Sequence, residues 1–191
     1  MDTVQLLGLC GSLRRQSRNK GLLRAAAELL PERTGLQIAD LSQVPFYNAD
    51  LSAQAKPASV AAIFEQLAAA DALVFACPEY NYSFAPALKN ILDWASREPD
   101  NHLLAGKPVA LMGAGGGMGT SRAQYHLRQV CVYLDLHPLN KPEVFSNAFG
   151  PSFNDDGTLV DEHLRTQVKD LLAALAVATR ALRTEASRLN G

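Results

Sequence analysis

Hydrophobic positions along this chain alternate between two patterns. Near-continuous apolar runs of strand length recur, and between them apolar residues return every three or four positions. Val4 to Leu9 is such a run, ending in Cys10-Gly11-Ser12, as expected of a strand buried on both faces. Helical spacing follows from Asn19 to Leu30, with Leu22, Leu23, Ala26, Leu29 and Leu30 on one face and Pro31 closing it. Leu36 to Ala39 predicts a second strand, followed by a loop around Pro45-Phe46-Tyr47-Asn48. Val60, Ile63, Phe64 and Leu67 predict a helix from Pro57 to Ala69, and Ala72 to Ala76 reads as the third strand. A helix from Pro86 to Ala95 carries Leu88, Ile91, Leu92 and Trp94. The fourth strand, Val109 to Met112, runs into a glycine-rich turn from Gly113 to Gly119. Thr120 to Leu134 is predicted helical, Leu136 to Leu139 a short fifth strand, and Asn147 to Gly157 a loop. A long amphipathic helix from Val160 to Arg188 closes the chain, with Leu164, Val168, Leu171, Leu172, Leu175 and Leu182 inward.

Strand and helix alternating in this way imply right-handed crossovers and a parallel sheet covered on both faces. No composition shift, repeat or low-complexity stretch divides the chain, so residues 1–191 are expected to form a single domain. Ligands of open parallel sheets sit outside the carboxyl ends of the strands. Function is therefore to be read from the loops after Leu9, Ala76 and Met112.

Charge and cysteine content narrow the classes. The 18 Lys+Arg against 19 Asp+Glu leave a net charge of −1, which excludes a dedicated electrostatic nucleic-acid binder. Three Cys without a CxxC pair offer neither a disulfide scaffold nor a zinc ribbon, and point to reduced thiols in the cytoplasm. His102, His126, His137 and His163 are scattered, so no metal site is expected. The longest apolar tract, Ala68 to Cys77, is interrupted by Asp71, whereas a membrane span needs about 20 apolar residues. No basic segment precedes the first apolar run, so neither a leader nor a membrane partner is expected.

The first loop, Cys10 to Asn19, holds a glycine, the hydroxyls of Ser12 and Ser17, and Arg14, Arg15 and Arg18 before a helix N-terminus. Backbone N–H groups, the helix dipole and an arginine together suit a phosphate. The plainer alternative is that Ser17 or Asn19 only caps the helix. No GxxxxGK[ST] and no GxGxxG follows the strand, so the usual nucleoside-triphosphate and dinucleotide loops are excluded. A cysteine phosphatase built on Cys10 would want an arginine at position 16, which is Gln. The second loop, Pro78-Glu79-Tyr80-Asn81-Tyr82-Ser83, can lie along the edge of a planar heterocycle, or be an ordinary surface turn. In the third, Gly113-Ala114-Gly115-Gly116-Gly117-Met118-Gly119 lets backbone approach a flat ligand closely, or is simply a flexible turn. A phosphorylated, planar, tricyclic cofactor would satisfy all three loops, and FMN is the natural candidate.

At these residues the chain resembles the NADPH-dependent FMN reductase family, in its quinone and chromate reductase branch. The matching stretches are LLGLCGSLRRQSRN at 6–19, PEYNYSFAPALKNILDWASR at 78–97, GKPVALM at 106–112 and QYHLRQVCVYLDLHPLNKPE at 124–143. The resemblance implies an α/β, flavodoxin-like three-layer sandwich with a five-stranded parallel sheet in the order 2-1-3-4-5. It implies FMN held non-covalently, its phosphate by the loop of Ser12, Leu13, Arg14, Ser17, Arg18 and Asn19. The isoalloxazine would then meet Pro78, Glu79, Tyr80, Asn81 and Tyr82, partly through backbone. The third loop would contribute Ala114, Gly115, Gly116 and Gly117; position 114, commonly Ser in relatives, is Ala here and leaves its flavin contact to a backbone N–H.

The activity so implied is an NAD(P)H oxidoreductase. NADPH or NADH gives hydride to flavin N5 and leaves, and a small acceptor takes its place. That acceptor would be quinone-like, with chromate, azo compounds or free flavin as further acceptors. The cofactor carries the chemistry and no catalytic acid or base is assigned. The rival is a flavodoxin-type electron carrier without nicotinamide turnover, usually strongly acidic where this chain is nearly neutral. The resemblance also implies a homo-oligomer, a dimer or a homotetramer. Arg122 and Tyr125, on the outer side of their helix, are expected to reach Glu143 of a neighbouring subunit.

Overall fold

Both faces of the first strand are buried, and its side chains divide between two cores. Leu7 and Leu9 point into one, and Val4, Leu6 and Cys10 into the other. The structure is a computed structural model and describes residues 3–189. In chain order its elements are β1 (Val4–Cys10), α1 (Arg18–Glu28), β2 (Thr34–Ile38), α2 (Ala49–Ser52), α3 (Ala58–Ala69) and β3 (Ala72–Ala76). There follow β4 (Glu79–Tyr80), β5 (Ser83–Phe84), α4 (Pro86–Ala95), β6 (Pro108–Gly115), α5 (Ser121–Tyr133), β7 (His137–Pro138), β8 (Val144–Asn147) and α6 (Glu162–Leu189).

The sheet is parallel and runs β2-β1-β3-β6, with its fifth position shared by two short strands. β7 pairs with the start of β6 at Pro108 and Val109, and β8 pairs with its end from Met112 to Gly115. This is the expected flavodoxin-like order 2-1-3-4-5, with two corrections. The fifth strand is not one segment at Leu136 to Leu139, because β8 takes over where β7 stops. The fourth strand does not end at Met112: pairing with β8 carries it through Gly113, Ala114 and Gly115, so half of the expected glycine-rich turn is strand.

Helices α1 and α6 cover one face and α3, α4 and α5 the other. Strands β3 and β6 turn Ala72, Ala76, Ala110 and Ala114 toward α1 and α6, whereas Leu73, Phe75, Val109 and Leu111 face the opposite core. Val74 and Met112 interleave with these alanines on the side that α1 and α6 cover. The large side chains opposite fill the space beneath three helices, each worth about 1.5–3 kcal/mol when fully buried. On α6, Leu164, Val168, Leu171, Leu172 and Leu175 are buried as expected. Leu182 is not: its 28-residue helix is ~42 Å long and outruns the sheet, leaving this residue exposed.

Candidate functional site

At the carboxyl end of β1 the chain leaves the sheet through Gly11, where a Cβ would stand 2.7 Å from the Cys77 sulfur. Ser17 then caps α1, with extended backbone (φ −77°, ψ 127°) and a hydroxyl that accepts from the Lys20 N–H at 3.3 Å. Ser12, Ser17 and Asn19 are buried, and the Arg18 Nε is buried without a hydrogen-bond partner. No acidic residue lies in the first turn of α1, so its positive dipole end is uncompensated. Two buried hydroxyls, an unpartnered guanidinium nitrogen and a bare helix N-terminus form a ready anion site.

Asn19 does something else with its side chain. Its amide donates to the Ala114 carbonyl and accepts from the Ala114 N–H, both at 2.9 Å. Gly115 on β6 faces β8, since its carbonyl accepts from the Ala148 N–H at 2.7 Å, so Ala114 turns the other way. There β3 has already ended, and Asn19 takes the place of the missing strand. The Asn19 side chain therefore joins the first loop to the third, and only its backbone N–H is open to a ligand. The N–H of Ala114, which the sequence reading left for a flavin, is engaged by Asn19.

The second loop is a two-residue hairpin that periodicity did not predict. β4 and β5 pair across Asn81 (φ 49°) and Tyr82 (φ 70°), both left-handed, at roughly 1–2 kcal/mol per non-glycine residue. The Glu79 carboxylate secures this turn from below. It accepts from the N–H groups of Arg122 and Ala123 at 3.2 Å and pairs with the Arg122 guanidinium. Thr120 gives α5 no side-chain cap, and Glu79 serves in its stead. The Arg122 guanidinium also lies 3.8 Å from the Tyr82 ring centre. Within one chain the Arg122 guanidinium is thus paired with Glu79, and Glu143 pairs with Lys141.

In the third loop the glycines divide into two groups. A Cβ on Gly113 would fall 2.4 Å from the Cys77 carbonyl oxygen, and one on Gly115 2.2 Å from that of Gly119. These two are bare so that the chain can pack on itself. Gly116 and Gly117 have no heavy atom within 4 Å of such a Cβ, and among the loop's glycines these two face open space.

The three loops enclose a cavity of about 200 Å³. It brings together Ser12, Arg14, Ser17, Arg18, Asn19, Pro78, Glu79, Tyr80, Ala114, Gly115 and Gly116. Leu13 lines a neighbouring cavity, and Asn81, Tyr82 and Gly117 lie outside the lining, exposed to solvent. Ala148 and Phe149, from the turn after β8, complete the wall. Sequence reasoning missed them with β8; the sign was the alternation in Val144-Phe145-Ser146 before Asn147, whose side chain accepts from the Phe149 N–H at 2.9 Å.

Burial pushes the Cys10 thiol up, and Cys77 and Cys131 up to about 12, so all three are packing groups, not nucleophiles. Among the described residues no three His, Cys, Asp or Glu converge as metal ligands, and no helix is long and apolar enough to cross a membrane.

The site's fit to a phosphorylated planar ligand rests on Arg18 Nε, the two hydroxyls and the open backbone at Gly116. Comparison with known proteins agrees. Residues 4–150 match the family described as NADPH-dependent FMN reductase. The chain is 48% identical over 183 residues to an NAD(P)H-dependent FMN reductase of Pseudomonas aeruginosa, covering 95% of this chain and 98% of that one. It is 48% identical over 178 residues to an NAD(P)H:quinone oxidoreductase of Solanum tuberosum, covering 90% and 91%. Among solved structures, the flavoenzyme NAD(P)H:(acceptor) oxidoreductase FerB of Paracoccus denitrificans superposes with a TM-score of 0.83 at 27% identity, covering 94% of this chain and 98% of that one.

Proposed function

The chain belongs to the NADPH-dependent FMN reductase family, and from that membership we propose that it is an FMN-dependent NAD(P)H oxidoreductase reducing quinones. The reaction balances as NAD(P)H plus a proton plus quinone giving NAD(P)⁺ plus hydroquinone. The observation that carries the proposal is the convergence on one cavity of two buried hydroxyls, the unpartnered Arg18 Nε and an α1 N-terminus free of acid.

FMN, when bound, would supply the two-electron redox chemistry. Everything else falls to the chain. Ser12 and Ser17 would donate hydroxyl hydrogens to the phosphate, Arg18 would give it a charged partner, and the N–H groups at the start of α1 would complete its cradle. Pro78 and Tyr80 would border the ring, with Glu79 contributing backbone only, since its carboxylate is tied to α5. Gly115 and Gly116 form the floor, and Asn81, Tyr82 and Gly117 flank the entrance.

We further propose one FMN-binding domain working in the cytoplasm as a homo-oligomer. Tyr125, Val132 and Tyr133 support self-association: they form an exposed apolar stripe on the outer face of α5. Light scattering at micromolar protein should give a dimer or tetramer; a monomer would refute that part. The main test is optical. Purified protein should be yellow with the two visible bands of oxidised flavin, bleach anaerobically on adding NADPH, and regain colour with a quinone. Colour without bleaching would mark an electron carrier instead.

A further inference from the structure

Two phenylalanines four positions apart in the segment after β8 have opposite surroundings. Phe153 is 7% exposed and packs, with Leu159, into the core beneath α1 and α6, whereas Phe149 is 86% exposed. The segment lies against the first loop: a Cβ on Gly157 would stand 3.0 Å from the Ser17 carbonyl oxygen and 3.1 Å from that of Gln16. It is also tied to the third loop, since the Ala148 N–H donates to the Gly115 carbonyl at 2.7 Å. Around Phe149 itself the turn is closed twice. The Phe149 N–H donates to the Asn147 side chain at 2.9 Å, and the Gly150 N–H to the Asn147 carbonyl at 3.3 Å. The backbone carrying Phe149 is thereby fixed, while its ring stands in solvent.

That ring stands at the rim of the cavity enclosed by the three loops, which Phe149 lines together with one other aromatic residue, Tyr80. At about 200 Å³ the cavity falls below the roughly 300–1,000 Å³ of sites that enclose a small molecule. A phosphorylated tricyclic ligand anchored at Ser12, Ser17 and Arg18 therefore extends past the rim. Gly116 leaves open space there. Where the ligand emerges, water would meet an apolar ring system, and a free aromatic side chain is suited to cover it. Phe149 can do so by a change of rotamer, with no movement of the backbone.

We infer that Phe149 is a further cofactor-binding residue, whose ring closes over the part of FMN that projects from the cavity and slows its release. The inference rests on the FMN reading of the cavity and adds to it a contact from outside the three loops. Closure of this kind costs the freedom of one side chain and not the ordering of a loop, because the turn is already anchored. It also accounts for the contrast with Phe153: one ring holds the segment to the core, and the other is left for the ligand.

The test compares the full chain with its Phe149→Ala and Phe149→Trp variants, each freed of flavin and titrated with FMN. Flavin fluorescence gives Kd, stopped flow gives the association rate, and the two together give the release rate. Urea unfolding of the flavin-free proteins and light scattering with and without FMN complete the set. Phe149→Ala should raise Kd roughly tenfold or more, as expected when an aromatic side chain no longer covers apolar surface. The change should lie in release, with association little altered. Flavin-free stability should match wild type, because the exposed ring packs on nothing that its removal would uncover, and Phe149→Trp should restore tight binding. An FMN Kd unchanged in Phe149→Ala would overturn the inference and leave the FMN reading intact. A weaker Kd matched by lower flavin-free stability, or by dissociation of an oligomer, would also overturn it, by making Phe149 a packing or subunit-contact residue. Wild-type protein that takes up no FMN would refute both readings together.

Discussion

Replacing Asn19 by alanine separates two roles that its sequence position does not distinguish. If the side chain held a ligand phosphate, its loss would weaken cofactor binding and leave the empty protein alone. In the structure the amide instead bonds the N–H and carbonyl of Ala114, which is 2% exposed, at 2.9 Å each. Asn19→Ala removes both bonds and leaves two buried backbone groups without partners. At about 1 kcal/mol net per bond, plus the desolvation of groups left unmade, the loss comes to about 2–4 kcal/mol. That is a large share of a typical stability of about 5–15 kcal/mol. For a chain of this size it corresponds to a fall in Tm of roughly 5–15 °C.

The assay is urea and thermal unfolding of the flavin-free protein, repeated at saturating FMN. Asn19→Ala should be destabilised in both states by similar amounts, because the stabilisation by ligand depends only on its concentration relative to Kd. Asn19→Asp is the sharper companion. It keeps an acceptor for the Ala114 N–H, sets a carboxylate against the Ala114 carbonyl, and adds negative charge beside the anion site, so it should lose FMN affinity as well. An apo Asn19→Ala protein within about 0.5 kcal/mol of wild type, with FMN affinity down tenfold or more, would refute the clamp and return Asn19 to the ligand.

The third loop gives a contrasting pair: Gly113→Ala should fail to fold or lose several kcal/mol, about 4 or more, because its Cβ meets backbone at 2.4 Å. Gly117→Ala should unfold like wild type in urea, and its FMN Kd, read by flavin fluorescence, shows whether a ring passes over that position. Glu79→Gln should cost about 1 kcal/mol through the weakened cap on α5, and should loosen Tyr82 from Arg122, seen as greater quenching of tyrosine fluorescence by iodide. Alkaline stability should follow the buried thiols. Burial raises Cys131 from 9.0 to about 12, so the folded chain keeps a proton that the unfolded chain releases; stability is complete below 9.0 and declines as pH rises toward 12. Cys131→Ala should lower the slope of unfolding free energy against pH in that window by up to ~1.4 kcal/mol per unit.

Much of the fold was legible because each strand lies between two helical layers. Burial on both faces turns Ala72–Ala76 into an uninterrupted apolar run, and the switch to helical period marks Pro86–Ala95; both elements have the expected bounds. β8 was not legible: four residues long, with exposed Phe145, it becomes a strand only because Met112–Gly115 offers it a partner. The hairpin at Asn81 and Tyr82 was hidden for a related reason. Its turn demands left-handed residues, and two non-glycines supply them only with Glu79 and Arg122 holding the turn to α5. Strand pairing and backbone strain are tertiary decisions, and hydropathy does not report them.

The candidate site divides along the same line. Residue types at the strand ends revealed where a ligand would sit, but not which side chains remain free to touch it. Past the end of β3 no strand lies between the first and third loops, and polar side chains supply the connections: Asn19 joins the first loop to the third, and Glu79 joins the second to α5. Even α1 is fixed by contact, since a Cβ on Gly21 would lie 1.8 Å from the Gly157 carbonyl oxygen. A cradle joined to itself in this way has its shape before any ligand enters, and binding need not order its loops. What then faces the cavity is the remainder that the scaffold leaves over: the Ser12 and Ser17 hydroxyls, Arg14, the Arg18 Nε, Tyr80, a helix end and the bare backbone at Gly116. That remainder matches a phosphate and a flat ring, which is why a site with no free carboxylate or imidazole can still belong to an enzyme.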